Sequence, residues 1–363
     1  MDSLKEISIA QSDAPLERIG YGSCGSVWAD ASRFPDIDRC ESALVLKRAD
    51  GLPDRSIENE AQIHKDILAP IASKPEFLTG FHFYIPRQIQ FLQPGTPSWN
   101  EILPRLPPES VACQALISER ILPLPRDIRR LMVEKFWNGR DDLRDSIIND
   151  KRNEHCLIRP YLGRRRVGVG TGERRSMFKS ISLRNYPLHI DQMEALGLPT
   201  HEYASAMADA LAFLLWVAKI DACDVEFVLA RPRTVVCAEP CRLGTCAFTP
   251  GVLGPHALWI LDFDCCKKLP MSVNGIRIAA ERFWRNDPFY PNPDAKCEKD
   301  TALWEVFKDR FLDTSRKVMA EAEPATRQLP EQFIARVVET IGFIRKGFHW
   351  NLKYLNNFGF LNL

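Results

Sequence analysis

The order of hydrophobic and polar positions divides the chain into a strand-rich beginning and a helix-rich remainder. Residues 1–15 read as a flexible leader. Between 16 and 122 the apolar runs are mostly short and bounded by turn residues, as strands are. Leu44-Val45-Leu46 and Ala115-Leu116-Ile117 are the clearest of them. One early helix is predicted over 56–68, where Ile57, Ala61, Ile63 and Ile67 recur at helical spacing. Five prolines between Leu92 and Pro108 predict a loop, and Pro123 and Pro125 close the region. Beyond 126 the period lengthens. Tyr203, Met207, Leu211, Leu214, Leu215 and Ala218 share a broad face of a helix predicted over 203–220. Two later helices are predicted over 302–313 and 332–345.

Within the first region, Gly20-Tyr21-Gly22-Ser23-Cys24-Gly25-Ser26-Val27 matches the pattern G-x-G-x-x-G-x-V. Glycines at this spacing let a hairpin turn tightly and approach phosphates. A lone glycine pattern is weak, but three features follow it in order. Lys47 ends a short apolar strand, Glu60 lies thirteen residues on in the predicted helix, and Asp221 and Asp262 stand further downstream. The set predicts an α+β, protein-kinase-like fold of two lobes. Residues 16–122 would form an antiparallel-sheet lobe with the glycine loop, and 123–363 a mostly helical lobe with an acidic cleft. Gly20, Gly22, Gly25, Lys47 and Glu60 are the candidate substrate- or phosphate-binding residues.

Two acidic stretches supply the candidate catalytic residues. Asp221-Ala222-Cys223-Asp224-Val225-Glu226 follows the long predicted helix, and Trp259-Ile260-Leu261-Asp262-Phe263-Asp264 is an apolar strand ending in two acids. Asp221 fits a catalytic aspartate. Glu226 stands where a kinase has a metal-binding asparagine, and Asp264 where it has the glycine of D-F-G. Those departures weigh against ordinary two-metal phosphoryl transfer. Asp221, Asp224, Glu226, Asp262 and Asp264 in one cleft repel one another unless a cation neutralises them. Magnesium or a substrate guanidinium can serve, the latter because its planar fork suits carboxylates. The bland alternative is a set of loop caps and surface acids.

Composition adds a local asymmetry. The 363 residues carry a net charge of only +1, and 45% are hydrophobic, enough for a large core. Residues 126–184 hold sixteen Lys or Arg against eight Asp or Glu. Arg159, Arg164, Arg165, Arg166, Arg174, Arg175, Lys179 and Arg184 form the densest part and are candidate RNA-binding residues, although charge runs are commonly solvated faces. No apolar run is long enough for a bilayer, and the N-terminus lacks the order of a signal peptide. The expectation is therefore a cytoplasmic protein with reduced thiols, its eleven cysteines being scattered. Cys237, Cys241 and Cys246, with His256 beyond, are spaced more loosely than a zinc ribbon, so no metal is expected.

Six stretches carry a further resemblance. They are 119–125 (ERILPLP), 156–163 (CLIRPYLG), 182–188 (SLRNYPL), 221–229 (DACDVEFVL), 258–264 (LWILDFD) and 286–291 (NDPFYP). On these the chain resembles a fungal family, formerly a domain of unknown function, that includes arginine-containing cyclodipeptide synthases. The resemblance implies an aminoacyltransferase of secondary metabolism. It would join arginine from arginyl-tRNA to a residue from a second aminoacyl-tRNA and release a diketopiperazine, without a cofactor. The basic stretch would then hold tRNA, and the acidic cluster the guanidinium or the amine protons. Cys223 stands where a small polar residue is expected. Two other functions remain open from the residues alone. One is an ATP- and Mg-dependent kinase-like phosphotransferase, and the other a kinase-like binding module without catalysis.

Overall fold

A computed structural model describes residues 13–31, 43–73, 80–166, 182–233, 247–286 and 288–346. The predicted leader lies almost wholly outside these residues, as do Arg174, Arg175, Lys179, Cys237, Cys241 and Cys246. The chain is a mixed α+β protein, sheet-rich in its N-terminal part and helical in much of its C-terminal part.

The first part contains β1 (Leu16–Tyr21), β2 (Ser26–Asp30), β3 (Leu44–Arg48), helix α1 (Ile57–Ser73), β4 (Phe83–Tyr84), β5 (Gln88–Leu92) and β6 (Ala115–Glu119). Five of the strands form an antiparallel sheet in the order β1-β2-β3-β6-β5. Alternation along each strand sends one set of side chains to each face. Trp28, Leu44, Leu46 and Ile117 pack on one face with Trp99 and Ile102. Ile57 and Ala61 of α1 pack with Leu116 and Cys24 in a smaller cluster. The proline-rich stretch after Leu92 is thus more than a loop. It contains the short helix α2 (Trp99–Ile102), whose two apolar ends cover the sheet.

The α1 helix starts one residue after the predicted helix and runs five residues past its end, with Pro70 inside it. Ser56 begins it by accepting a hydrogen bond from the Asn59 N–H at 3.1 Å, which satisfies one of the unpaired amides of a first turn.

The second part holds helices α3 (Arg126–Phe136), α4 (Arg144–Asn149), α5 (Ile190–Ala195), α6 (Thr200–Ala212), α7 (Val273–Arg285), α8 (Glu298–Val318) and α9 (Leu329–Lys346). It also holds a second sheet, which the helical pattern conceals. The strands are β7 (Ile158–Tyr161), β8 (Tyr186–His189), β9 (Glu226–Ala230), β10 (Ala247–Gly251) and β11 (Gly254–Leu261), in the order β10-β11-β9-β7-β8. β4 joins this sheet by parallel pairing to β11, so the two parts are stitched together by a strand from the first.

α6 is buried on nearly every side from Tyr203 to Ala212, and its alanines let neighbours approach closely. A π-helical turn over Phe213–Val217 ends the helix predicted as continuous to 220. Asp209 is the buried charge of α6, 1% exposed. Arg310 of α8 donates to both its oxygens at 2.7 Å, and Thr314 adds a third bond. A buried carboxylate needs this compensation, because loss of either partner leaves an unpaired charge. Among the described residues no helix is long and apolar enough to cross a membrane.

Candidate functional site

Two loops meet the first sheet at its central strand, β3. One runs from the π-helical turn into β9, and the other follows β11. Lys219, Ala222, Asp224 and Asp262 in these loops have φ of 55°, 51°, 62° and 68°. Asn185 is the only other non-glycine residue of positive φ among the described residues. The left-handed region costs an L-residue roughly 1–2 kcal/mol, and such strain collects where geometry serves function.

Lys47 projects from β3 into the junction. Its Nζ lies 2.7 Å from Glu60 Oε2 of α1 and 2.8 Å from Asp262 Oδ1. The three residues picked out by order in the sequence therefore meet in one ion triad. Burial of the Lys47 ammonium works to lower its pKa, but the Asp262 and Glu60 charges outweigh it and the net shift is upward. Burial pushes Glu60 up to about 7 against the pull of Lys47. Burial also works upward on Asp262, where the Lys47 charge wins and the net shift is down.

Asp264 and Asp224 face another cation, Arg55, in the segment that links β3 to α1. Arg55 Nη1 lies 3.0 Å from Asp264 Oδ2, and Nη2 lies 3.3 Å from Asp224 Oδ2. The same guanidinium also contacts the Cys265 thiol. Asn59 of α1 fixes the neighbouring backbone by donating to the Asp264 carbonyl at 2.8 Å and the Cys266 carbonyl at 3.1 Å. Burial raises the pKa of Asp264, helped by the Asp262 charge. Asp224 is the most open of the acids, its side chain 44% exposed.

Glu226, at the start of β9, is held by Arg159 of β7, whose Nη2 donates to its two oxygens at 2.6 and 2.5 Å. Burial still pushes Glu226 up to about 7. Sequence counting had placed Arg159 with the basic stretch, and its side chain instead enters the acidic site. Asp221 has a different setting. It is 3% exposed, and its Oδ1 accepts the Lys267 N–H at 2.9 Å and the Cys223 N–H at 3.2 Å. Burial raises its pKa. Asp221 ties the two loops together and lies 3.7 Å from Arg282 Nε of α7, while Asp224, Glu226, Asp262 and Asp264 meet the cations at the junction. Each is neutralised from within the chain, by Arg55, Arg159 or Lys47. An external cation is not needed to bring them together.

The glycine hairpin joins β1 to β2 beside this site. Gly22 and Gly25 bond each other across the turn, N–H to carbonyl, at 2.9 and 3.2 Å. Gly25 has a φ of +146°, and a Cβ there would stand 1.8 Å from the Arg48 carbonyl oxygen. A Cβ on Gly22 would meet nothing within 4 Å. The Asp50 carboxylate binds the Ser26 N–H and hydroxyl, both at 2.6 Å. Three hairpin amides are thus already satisfied within the chain. Cys24 tucks its thiol 3.8 Å from Glu60, and burial pushes that thiol up to about 12.

The remaining predicted arginines are dispersed. Arg165 binds Glu194 and Asp300. Arg166 pairs with Asp191 at 2.8 Å, and its guanidinium lies over the Phe136 ring at 5.6 Å. Arg184 donates to the Tyr21 carbonyl at 2.7 Å, which ties its segment to the glycine hairpin. The backbone carbonyl of Arg164 accepts from the Ile190 N–H at 3.1 Å. Arg55, Asn59 and the Arg159–Glu226 pair are what sequence reasoning missed. Arg55 had one available signal, its place just before a helix that already carries Glu60.

A family profile described as "Zinc finger protein" (DUF3669) matches residues 258–323, which span β11 to α8 and include Asp262 and Asp264. No curated protein matches the chain. The motif-based assignment to the cyclodipeptide synthase family is therefore corrected, since the family match found is to zinc finger proteins and covers less than a fifth of the chain. The matched stretch does not present a zinc site either. It contains no histidine, and its cysteines are Cys265, Cys266 and Cys297. Cys266 is buried with its thiol 3.3 Å from the Cys223 carbonyl, and Cys297 immediately precedes α8. Among the described residues no group of three or more His, Cys, Asp or Glu side chains can hold a metal ion.

Proposed function

We propose that the chain is a kinase-like two-lobed scaffold whose cleft handles amine and guanidinium groups. In this reading it acts as an aminoacyl-tRNA-dependent cyclodipeptide synthase that joins arginine from arginyl-tRNA to a second aminoacyl residue. The reading rests on the chemistry of the cleft and claims no kinship. The observation that carries it is the hold of Asp264 and the exposed Asp224 on the guanidinium of Arg55. Carboxylates that accept the chain's own guanidinium suit that of an incoming arginine when Arg55 moves aside.

A pKa near 7 suits Glu226 to general-base work on an amine. The amine of one aminoacyl group attacks the ester carbonyl of the other, so that a C–N bond forms and the ester C–O bond breaks. The amine proton passes by way of Glu226 to the departing ribose oxygen. The same exchange in the reverse sense closes the ring and frees the second tRNA. The ester is already activated, so no cofactor is consumed. Arg164, Arg166 and Arg184, with Arg174, Arg175 and Lys179, are the proposed tRNA face. The cytoplasm is the proposed compartment, because both substrates are charged tRNAs.

Incubating the purified chain with arginyl-tRNA and a mixture of other aminoacyl-tRNAs tests the proposal. An arginine-containing diketopiperazine found by mass spectrometry, and lost in Glu226→Gln, is the expected result. Folded protein that forms no such product under any pairing sinks the reading.

ATP-dependent phosphoryl transfer is the second reading, and the Lys47–Glu60–Asp262 triad is the observation that favours it. Against it stand the hairpin amides already bonded within the chain and the Arg159 guanidinium on Glu226. Stabilisation by Mg-ATP that disappears in Lys47→Ala supports this reading. A chain that shows neither product nor nucleotide binding is a kinase-like binding module.

A further inference from the structure

A second polar site lies away from the acidic cleft, where β6 meets the end of β9. It is a small open pocket lined among others by Arg87, Glu119, Arg120, Arg231, Arg233 and Trp259. Four arginines and one carboxylate thus line it. Glu119 answers two of the arginines, Arg233 and, at 3.5 Å from its Nε, Arg87. The two oxygens of Glu119 accept from Nε and Nη2 of Arg233, each at 2.7 Å. Arg233 is fixed further by the Ile85 carbonyl at 2.9 Å, and its guanidinium stands 4.8 Å from the Tyr84 ring and 5.2 Å from the Trp259 ring. Glu119 also accepts the Arg87 N–H at 3.0 Å. This Arg–Glu–aromatic stack forms a rigid wall rather than a mobile surface pair.

The rest of the pocket is cationic. Arg120 is 5% exposed and contacts His155 Nδ1 at 3.2 Å. Burial holds His155 down at about 4, so that ring is neutral at pH 7 and supplies no counter-charge. Burial lowers the Arg120 pKa, and the charges of Asp30 and Glu17 restore it only in part. Burial lowers Arg231 as well. The Arg231 backbone is pinned by Trp259 Nε1, which donates to its carbonyl at 2.9 Å, while its own buried Nε has no hydrogen-bond partner among the described residues. A buried donor left unmade is costly unless a ligand satisfies it.

We propose that this pocket binds a phosphate group, seated on Arg231 with Arg87 and Arg120 beside it, on a wall built by Arg233, Glu119 and Trp259. Guanidinium forks match phosphate oxygens two at a time, and donors from three separate segments suit a tetrahedral anion. The phosphate can belong to a free monoester or to an RNA backbone. The inference is independent of the reaction proposed for the cleft.

Isothermal titration of the full chain with inorganic phosphate, at constant ionic strength set with chloride, tests it. Saturable binding is expected, weakened at least tenfold in Arg231→Gln and unchanged in Arg277→Gln, a surface control on α7. Unfolded variants are excluded by their melting curves before titration. Binding that is absent, matched by chloride, or equal in Arg231→Gln overturns the proposal. A short RNA that displaces phosphate from the wild type but not from a pocket already lost in Arg231→Gln assigns the anion to a polynucleotide. Displacement by a sugar monophosphate alone assigns it to a small molecule.

Discussion

Replacing Lys47 with methionine keeps most of the side-chain volume and removes the charge that Glu60 and Asp262 share. Glu60 has 6% of its side chain exposed and sits 2.7 Å from the lost ammonium. Breaking a buried pair in this way costs about 3–5 kcal/mol. Asp262, one-third exposed, is screened by water and adds less. The variant relieves the penalty by keeping Glu60 protonated, and that relief depends on pH. Glu60 stands at about 7 even with Lys47 present, against an ordinary value of 4.5, and loss of Lys47 raises it further. A carboxyl with a raised folded-state pKa binds more protons folded than unfolded, so stability is fully present below 4.5 and falls as pH rises through the folded value.

At about 1.4 kcal/mol per pH unit, Lys47→Met should lose up to about 3 kcal/mol between pH 6 and pH 8. In Lys47→Met/Glu60→Gln the titrating group is gone, so the slope due to Glu60 should vanish and the double variant should be the more stable one at pH 8. Urea denaturation at pH 6, 7 and 8 measures both. Equal slopes for the single and double variants, or a double variant no more stable at pH 8, refute the triad as an electrostatic unit.

Three other perturbations follow from the geometry. Asp209→Asn should cost about 3 kcal/mol in urea denaturation, since it removes the charge that Arg310 and Thr314 compensate inside α6. Gly25→Ala should destabilise by roughly 1–3 kcal/mol, because its Cβ meets the Arg48 carbonyl at 1.8 Å in a glycine-favoured conformation, whereas Gly22→Ala should stay within about 0.5 kcal/mol. Arg55→Ala should melt at a lower temperature than the wild type and recover more with arginine amide than with lysine amide, because only the former replaces the missing fork on Asp224 and Asp264. Equal recovery with both amides counts against a guanidinium site.

The sequence showed the parts of the site whose chemistry is local and ordered. Lys47 on a strand, Glu60 on the next helix and Asp262 after an apolar strand meet as their order implied. The cations that neutralise the other acids were not legible, because pairing across the fold leaves no spacing signal. Arg159 lies 67 residues from Glu226 in the chain, and Arg55 lies 209 residues from Asp264. Counting charges over 126–184 treated each arginine as free, yet Arg165 is answered by Glu194 and Asp300 outside that window. Asp221 matched a catalytic position by motif, and its burial and backbone hydrogen bonds make it an anchor. The second sheet was missed for a different reason. β7 contains Arg159 and Pro160 and reads as part of a basic loop, and its pairing with β8 and β9 is what makes it a strand.

The claim that this cleft works on arginine and a second aminoacyl group is tested most directly by metabolite profiling of a yeast host that makes the chain. The account predicts a new arginine-containing diketopiperazine in extracts of cells expressing the wild type, absent from cells expressing Glu226→Gln at equal soluble levels. Abundant folded wild-type protein with no such product, or the same product from Glu226→Gln, contradicts it.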